Sequence, residues 1–235
     1  MNEKQLSERL VRVANYVPNG AKIADIGSDH AYLPCYLCIQ DDKVTAIAGE
    51  VNEGPYQSAK KQVEKVNLEN RIEVRKGNGL AVIEKGEVDT ITIAGMGGGL
   101  IATILDEGKD KLIGVKKLIL QPNVSADLIR LWLREHGWLL IAEEIIEEDE
   151  KIYEILVAEP GDDTELYAEK TKEKLLLGPF LIQQRNETFK KKWSYEIANW
   201  KRILQEFEKA TETDQVKQKR NELREQIQMV EEVIK

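Results

Sequence analysis

Between residues 22 and 158 the sequence alternates strand-length apolar runs with helix-length amphipathic ones, and the alternation breaks at its last step. Strands are predicted over 22–26, 44–50, 71–75, 88–94, 117–121, 138–146 and 152–158, and helices over 32–39, 54–66, 98–107 and 125–136. Such repetition builds a mainly parallel sheet through right-handed crossovers, with helices on both faces. The final two runs, "WLLIAEEIIEED" and "KIYEILVAEPG", are separated only by a short acidic turn. A parallel pairing needs a longer crossover, so these strands are expected to form an antiparallel hairpin. The expectation is a seven-stranded, Rossmann-like α/β sheet closing on one reversed strand.

What flanks this core is helical. An amphipathic helix is predicted over 3–16, with Leu6, Leu10, Val13 and Val17 on one stripe and Asn2 as its N-cap, ended by Pro18-Asn19-Gly20. Beyond Gly161 the strand pattern disappears. Ile197, Trp200, Leu204 and Phe207 form one apolar stripe, and Val216, Leu223, Ile227, Val230 and Ile234 another. The segment "ATETD" (210–214) lies between them, with Thr213 or a neighbour as cap of the second helix. Two domains follow: residues 1–161 as the α/β unit, and 162–235 as an antiparallel helical coiled coil.

Composition excludes several classes. Hydrophobic residues at 42% and charged residues at 32% suit a chain with a large buried core. No apolar run is long enough to span a bilayer. The N-terminus, "MNEKQLSERL", lacks the apolar centre of a signal peptide, so a cytoplasmic location without membrane contact is expected. The net charge of −8 argues against a surface coated in basic residues. Charge is balanced from Gly161 onward, so the deficit falls on residues 1–160 and the helical tail is relatively basic. Cys35 and Cys38 form a CxxC, but zinc needs four ligands and no second pair exists. They read as two small apolar residues on one helix face, and no metal is expected.

In a doubly wound sheet, ligands bind beyond the carboxyl ends of the strands where strand order reverses. The first strand ends in Asp25, Gly27, Ser28, Asp29 and His30; the second in Glu50, Val51 and Asn52; the third in Gly77, Asn78, Gly79 and Leu80; the fourth in Ala94, Gly95, Met96 and Gly97. Gly27 permits a sharp turn and close approach of a ligand. Glu50 stands near the spacing at which an acid accepts hydrogen bonds from ribose hydroxyls. Asn78 suits the edge of an adenine ring, with Leu80 or Val51 on its face, and "GMGGG" (95–99) leaves open backbone at the reacting end. A pyrophosphate would be repelled by Asp25 and Asp29. Those acids suit a cofactor with cationic groups and no phosphate, such as S-adenosylmethionine. Asp29 and Ala31 occupy places where further glycines would normally stand, which reads as a requirement dropped because no pyrophosphate has to fit.

With "ADIGSDHAYLP", "GEVNEGPYQSA", "GNGL", "AGMGGGLI" and "QPN" in view, the chain resembles the bacterial tRNA adenine-22 N1-methyltransferases over essentially its whole length. The resemblance implies a class I methyltransferase sheet with a C-terminal coiled coil, and methyl transfer from S-adenosylmethionine to N1 of an adenine in tRNA. Two places depart from the general methyltransferase pattern: the substituted glycines, and Asn78 where many relatives carry Asp. Ring N1 has an in-plane lone pair and needs no prior deprotonation. Methylation leaves the ring cationic, which makes Asp29 the candidate electrostatic stabiliser or acceptor of an N6 proton. His30 and Tyr32 are candidates to stack on the flipped base, and Asn123 to read its edge. Arg9 and Arg12 on the first helix, and Lys190, Lys191 and Lys192 beside Trp193, are candidate RNA contacts. The chain is expected to act as a monomer. Two alternatives remain at this point: an NAD-dependent oxidoreductase on the same early strands, and a non-catalytic adaptor that recruits partners through its coiled coil.

Overall fold

The structure, a computed structural model, describes residues 5–209 and 213–235. Its contacts divide it into two compact units, one ending at Glu165 and one beginning at Leu166. The first unit runs α1 (Glu8–Asn15), β1 (Lys22–Ile26), α2 (Tyr32–Gln40), β2 (Thr45–Glu50), α3 (Glu53–Lys65), β3 (Ile72–Lys76), a 3-10 turn (Gly79–Val82), β4 (Thr90–Gly97), α4 (Gly98–Glu107), β5 (Lys117–Val124), α5 (Ala126–Glu135), β6 (Trp138–Glu148) and β7 (Lys151–Pro160). The strands form one sheet in the order β3-β2-β1-β4-β5-β7-β6, in which β7 is antiparallel to both its neighbours. The expected hairpin is therefore present. Its second strand returns inside the sheet, against β5, and leaves β6 at the edge.

Burial explains the strand sequences. Ile23, Ile91 and Ile93 are fully buried, because central parallel strands are covered on both faces and so read as continuous apolar runs. Helices α1, α2 and α3 pack with one face of the sheet through Val13, Leu33, Cys35, Ala59 and Val63. Both cysteines are buried and outside any disulfide, and the Cys38 thiol donates to the Val44 carbonyl at 3.4 Å, so the CxxC is packing. Helices α4 and α5 contact each other, α4 lying against β4 and β5 and α5 against β6.

The first helix differs from its prediction. It starts at Glu8, and Ser7 caps it by accepting from the Leu10 N–H. The predicted cap, Asn2, lies outside the described residues. Ser7 is a standard N-cap type three residues ahead of Leu10, and the apolar stripe that continues back to Leu6 hid the boundary.

One polar cluster is fully enclosed. Arg130 of α5 donates to Glu143 of β6 at 2.6 Å and to Glu154 of β7, with all three side chains at most 3% exposed. Burial opposes its charge, but the two carboxylates together hold the guanidinium well above its usual pKa. The cluster ties α5 to the hairpin.

Among its described residues the second unit holds four helices: α6 (Thr171–Leu177), α7 (Pro179–Gln184), α8 (Glu187–Lys209) and α9 (Asp214–Ile234). The two long ones were expected. Gly178, at φ 89°, separates two short ones that were not, and Pro179 opens the second, where its missing N–H costs nothing. Helices α8 and α9 pack against each other. Lys201 and Glu231 join them at 2.6 Å. Thr213 caps α9 by accepting from the Val216 N–H at 3.2 Å. Ile197, Ile227 and Val230 are buried as the stripes require, and so is Val233.

Candidate active site

Strand order reverses between β1 and β4, and a cavity of about 300 Å³ opens beyond their carboxyl ends. Arg9, Leu10, Asp25, Gly27, Ser28, Asp29, Tyr32, Leu33, Ala94, Gly95 and Met96 line it. Three sequence segments thus meet at one place: the β1 loop, the β4 turn and helix α1.

The β4 side is shaped by a break in the ladder. Ala94 pairs with Gln121 and Met96 with Pro122, leaving Gly95 as an extra residue in the register. Pro122 has no N–H to offer, so the regular ladder cannot continue there. Side chains replace it. The Gln121 oxygen accepts from the Gly95 N–H at 3.0 Å, and the Asn123 amide donates to the Gly95 carbonyl at 2.8 Å. Gly95 has φ 81°, a region that L side chains rarely adopt. "QPN" is therefore a clamp on the turn at residue 95.

The β1 side is the loop at 27–32. Gly27 has φ 73°, and a Cβ there would stand 2.2 Å from the Met96 methyl carbon. Asp29 and Ala31, each at φ 53°, lie in the same left-handed half of backbone space. Both positions thus hold a backbone conformation that glycine adopts most readily. Non-glycine residues in this region carry a cost of about 1 kcal/mol or more each. Local hydrogen bonds hold the shape: the Asp29 N–H donates to Glu50, and the Ala31 N–H to the Ser28 carbonyl at 3.0 Å. Asp29 does not cap a helix, since α2 begins at Tyr32 behind Ala31. Its side chain is 67% exposed, with one oxygen 3.8 Å from His30 Nε2. His30 stacks on Tyr32 with ring centroids 5.2 Å apart and planes 23° apart.

The acids differ in their surroundings. Asp25 is buried, with Ser28 and Thr92 hydroxyls donating to its two oxygens at 2.6 and 2.7 Å. Burial lifts its pKa to about 6, and the two hydrogen bonds only partly offset this. Glu50 is also buried and raised by desolvation, opposed by the N–H groups of Asp29 and Val51.

The remaining candidates spread out from this centre. Val51 is 52% exposed at the end of β2, next to the exposed Asn52. Gly77 precedes the exposed Asn78. Asn78, Gly79 and Leu80 line a second cavity of about 250 Å³ with Ile104, Gly108 and Lys111. Leu80 is only 2% exposed and packs against Gly108, so Val51 offers more free apolar surface for a ring face. Gly97 is the residue before α4. Of the predicted RNA contacts on α1, Arg12 pairs with Glu8 at 3.1 Å and Glu144 at 3.6 Å. Arg9 lines the cavity instead of standing on the outer face. In the second unit, Lys190 pairs with Glu187 at 2.9 Å, Lys191 lies 6.0 Å from the Tyr195 ring centroid and Lys192 4.8 Å from that of Trp193. Among the described residues no group of acids, histidines and cysteines could hold a metal ion, and no helix is long and apolar enough to cross a membrane.

Sequence reasoning missed Gln121 and Thr92. Both are fully buried polar residues inside apolar strands, "LILQ" and "TITI", and a buried polar group must find a partner. That was the available signal.

Comparison with known proteins gives one consistent result. A family model described as tRNA (adenine(22)-N(1))-methyltransferase matches residues 23–232. The Bacillus subtilis (strain 168) protein named tRNA (adenine(22)-N(1))-methyltransferase is 53% identical over 235 residues, covering 100% of this chain and 99% of its own. The crystal structure of the B. subtilis M1A22 tRNA methyltransferase TrmK superposes with a TM-score of 0.94 at 52% identity, over 99% of this chain and 100% of that one. A Streptococcus pneumoniae structure in complex with S-adenosyl-L-methionine gives 0.86 at 44% identity, over 98% of this chain and 100% of its own.

Proposed function

Because the chain belongs to the tRNA (adenine(22)-N(1))-methyltransferase family, we propose a division of labour within the cavity at the β1/β4 switch point for the family's reaction. The enzyme transfers a methyl group from S-adenosylmethionine to N1 of adenine 22 in tRNA. The observation that carries the assignment of residues is the meeting of Gly27, Asp29, Tyr32 and Gly95 around one cavity.

The residues present fit the cofactor. Gly27 brings bare backbone to the cavity wall, and the nearby acids are Asp25, Asp29 and Glu50, with no lysine among the lining residues. When bound, the cofactor supplies an electrophilic methyl group on a cationic sulfur. Asp25, fixed by Ser28 and Thr92, provides negative potential beside that cation. Glu50 accepts from ribose hydroxyls while holding the Asp29 N–H. Asn78 and Val51 receive the adenine of the cofactor.

On the substrate side, the exposed Asp29 carboxylate faces charge that develops on the ring as N1 is alkylated, and stabilises it electrostatically. Its N–H is held by Glu50, so the carboxylate is carried on a loop that need not reorganise. The His30–Tyr32 pair offers a stacking face for the flipped adenine. Asn123, its amide nitrogen engaged by Gly95, keeps its carbonyl oxygen for the N6 amino edge. Lys190, Lys191 and Lys192 in the second unit contact the tRNA backbone, a role that needs no sequence information. The enzyme acts as a monomer in the cytoplasm, with residues 1–161 as methyltransferase domain and 162–235 as coiled-coil domain.

Transfer of labelled methyl groups to an unmodified tRNA transcript tests the reading. Incorporation is expected with adenine at position 22 and is lost with guanine there; equal incorporation into both would refute the site assignment.

A further inference from the structure

Helix α8 carries an aromatic ring where its packing has no use for one. The helix buries Phe189, Trp193 and Ile197, spaced four residues apart. Tyr195 lies two residues from both Trp193 and Ile197, and two residues turn an α-helix through roughly 200°. Its ring therefore points away from the buried stripe, and it is 61% exposed.

The neighbours of Tyr195 on that side are cationic or polar. Lys191, one turn before it, brings Nζ to 6.0 Å from the ring centroid. Asn199, one turn after it, accepts a hydrogen bond from the Arg202 guanidinium at 2.9 Å. Lys191, Tyr195, Asn199 and Arg202 thus follow one another along one side of the helix, and Glu206 follows one turn beyond Arg202. Lys190 and Lys201 are each matched by a carboxylate, Glu187 and Glu231. Arg202 is held instead by an amide oxygen, which orients the guanidinium without neutralising it.

An exposed ring between cations suits a nucleotide, because the base stacks on the ring and the cations meet the flanking phosphates. Stacking of this kind takes a base that a duplex does not already enclose, so the fitting ligand is an unpaired nucleotide of a folded RNA. A protein is the competing occupant. A helix face that docks on a protein shows apolar anchors at i, i+3, i+4 and i+7. Counted from Tyr195, those places hold Ala198, Asn199 and Arg202, of which only Ala198 is apolar.

We infer that Tyr195 stacks on an unpaired base of the tRNA, with Lys191 and Arg202 on the phosphates to either side. The inference rests on the assignment of the second unit to tRNA binding and adds to it a contact that tells a looped RNA from a plain duplex. Lysines on the backbone serve any RNA, whereas the ring selects an unstacked base.

Fluorescence anisotropy titrations of the full chain with two RNAs test this. One is an unmodified tRNA transcript, and the other a blunt RNA duplex with the same number of nucleotides and no unpaired base. Tyr195→Ala is expected to weaken tRNA binding about five- to hundredfold and to leave the duplex within about twofold. Tyr195→Phe keeps the ring and should bind both RNAs as the wild type does. Arg202→Gln should weaken both RNAs together and lower the salt dependence of binding by about one phosphate contact. S-adenosylhomocysteine affinity should be unchanged in Tyr195→Ala. Losses by Tyr195→Ala that are equal for the two RNAs, or absent for both, overturn the inference, and so does an equal tRNA loss in Tyr195→Phe. Replacing Lys190, Lys191 and Lys192 together by Gln separates two failures. If that variant loses tRNA affinity and Tyr195→Ala does not, the stacking contact alone falls. If neither loses affinity, the assignment of the second unit to tRNA falls with it.

Discussion

The side-chain oxygen of Gln121 accepts the Gly95 N–H at 3.0 Å, at the point where β4 and β5 lose their ladder. A residue with no exposed surface thus sets the backbone of a turn that lines the cavity. Gln121→Leu keeps similar volume but leaves that N–H without its acceptor. The loss expected for an unsatisfied buried donor is about 1–3 kcal/mol of folding stability, measurable by urea unfolding. S-adenosylhomocysteine affinity should fall with it. Unchanged values for both would show that the clamp is dispensable.

Asp29 separates backbone from side-chain chemistry. Its φ of 53° suits glycine, so Asp29→Gly should fold with stability equal to wild type or up to about 1 kcal/mol higher. Methyl transfer by the same variant, and by Asp29→Asn, should fall at least about a hundredfold if the carboxylate stabilises developing charge. Cofactor affinity should change little. Single-turnover rates and thermal unfolding measured together check this, and a wild-type rate in Asp29→Gly would remove the carboxylate from the mechanism.

Asp25 links the site to pH. Burial lifts its pKa to about 6 in the folded chain, so the folded state holds a proton that the unfolded state has already released. Stability therefore falls as pH rises through that window, the reverse of a salt-bridged carboxylate. Between pH 5 and 8 the wild type should lose on the order of 1 kcal/mol relative to Asp25→Asn. Any fixed cost of losing the Ser28 and Thr92 hydrogen bonds shifts the Asn curve without changing this slope. Denaturant unfolding of both proteins across the range measures the difference, and parallel curves would mean that Asp25 titrates normally.

Most of the fold was legible because its signals are local or periodic. The apolar runs of buried strands and the missing crossover after Glu148 carry the sheet and its reversed strand. Ser7 and Gly178 show what periodicity hides: a cap inside an apolar stripe, and a break inside helix-forming sequence. The site was legible in part. Glycines and acids at strand ends mark the cavity, since ligands bind where strand order reverses. The roles within it depend on partners remote in sequence. Arg9 donates a hydrogen bond to Gln121, 112 residues away, and no pattern in either segment announces that contact. The left-handed backbone at Asp29 and Ala31 was equally hidden, because their identity suggested that the glycine conformation had been given up.

The central claim is methyl transfer to a ring nitrogen at one tRNA position. Incubating unmodified tRNA with enzyme and S-adenosylmethionine, then analysing its nucleosides and its position-22 fragment by mass spectrometry, measures this directly. The account predicts 1-methyladenosine at position 22 and at no other site. N6-methyladenosine, 1-methyladenosine elsewhere, or no methylated adenosine from an enzyme that binds the cofactor would contradict it.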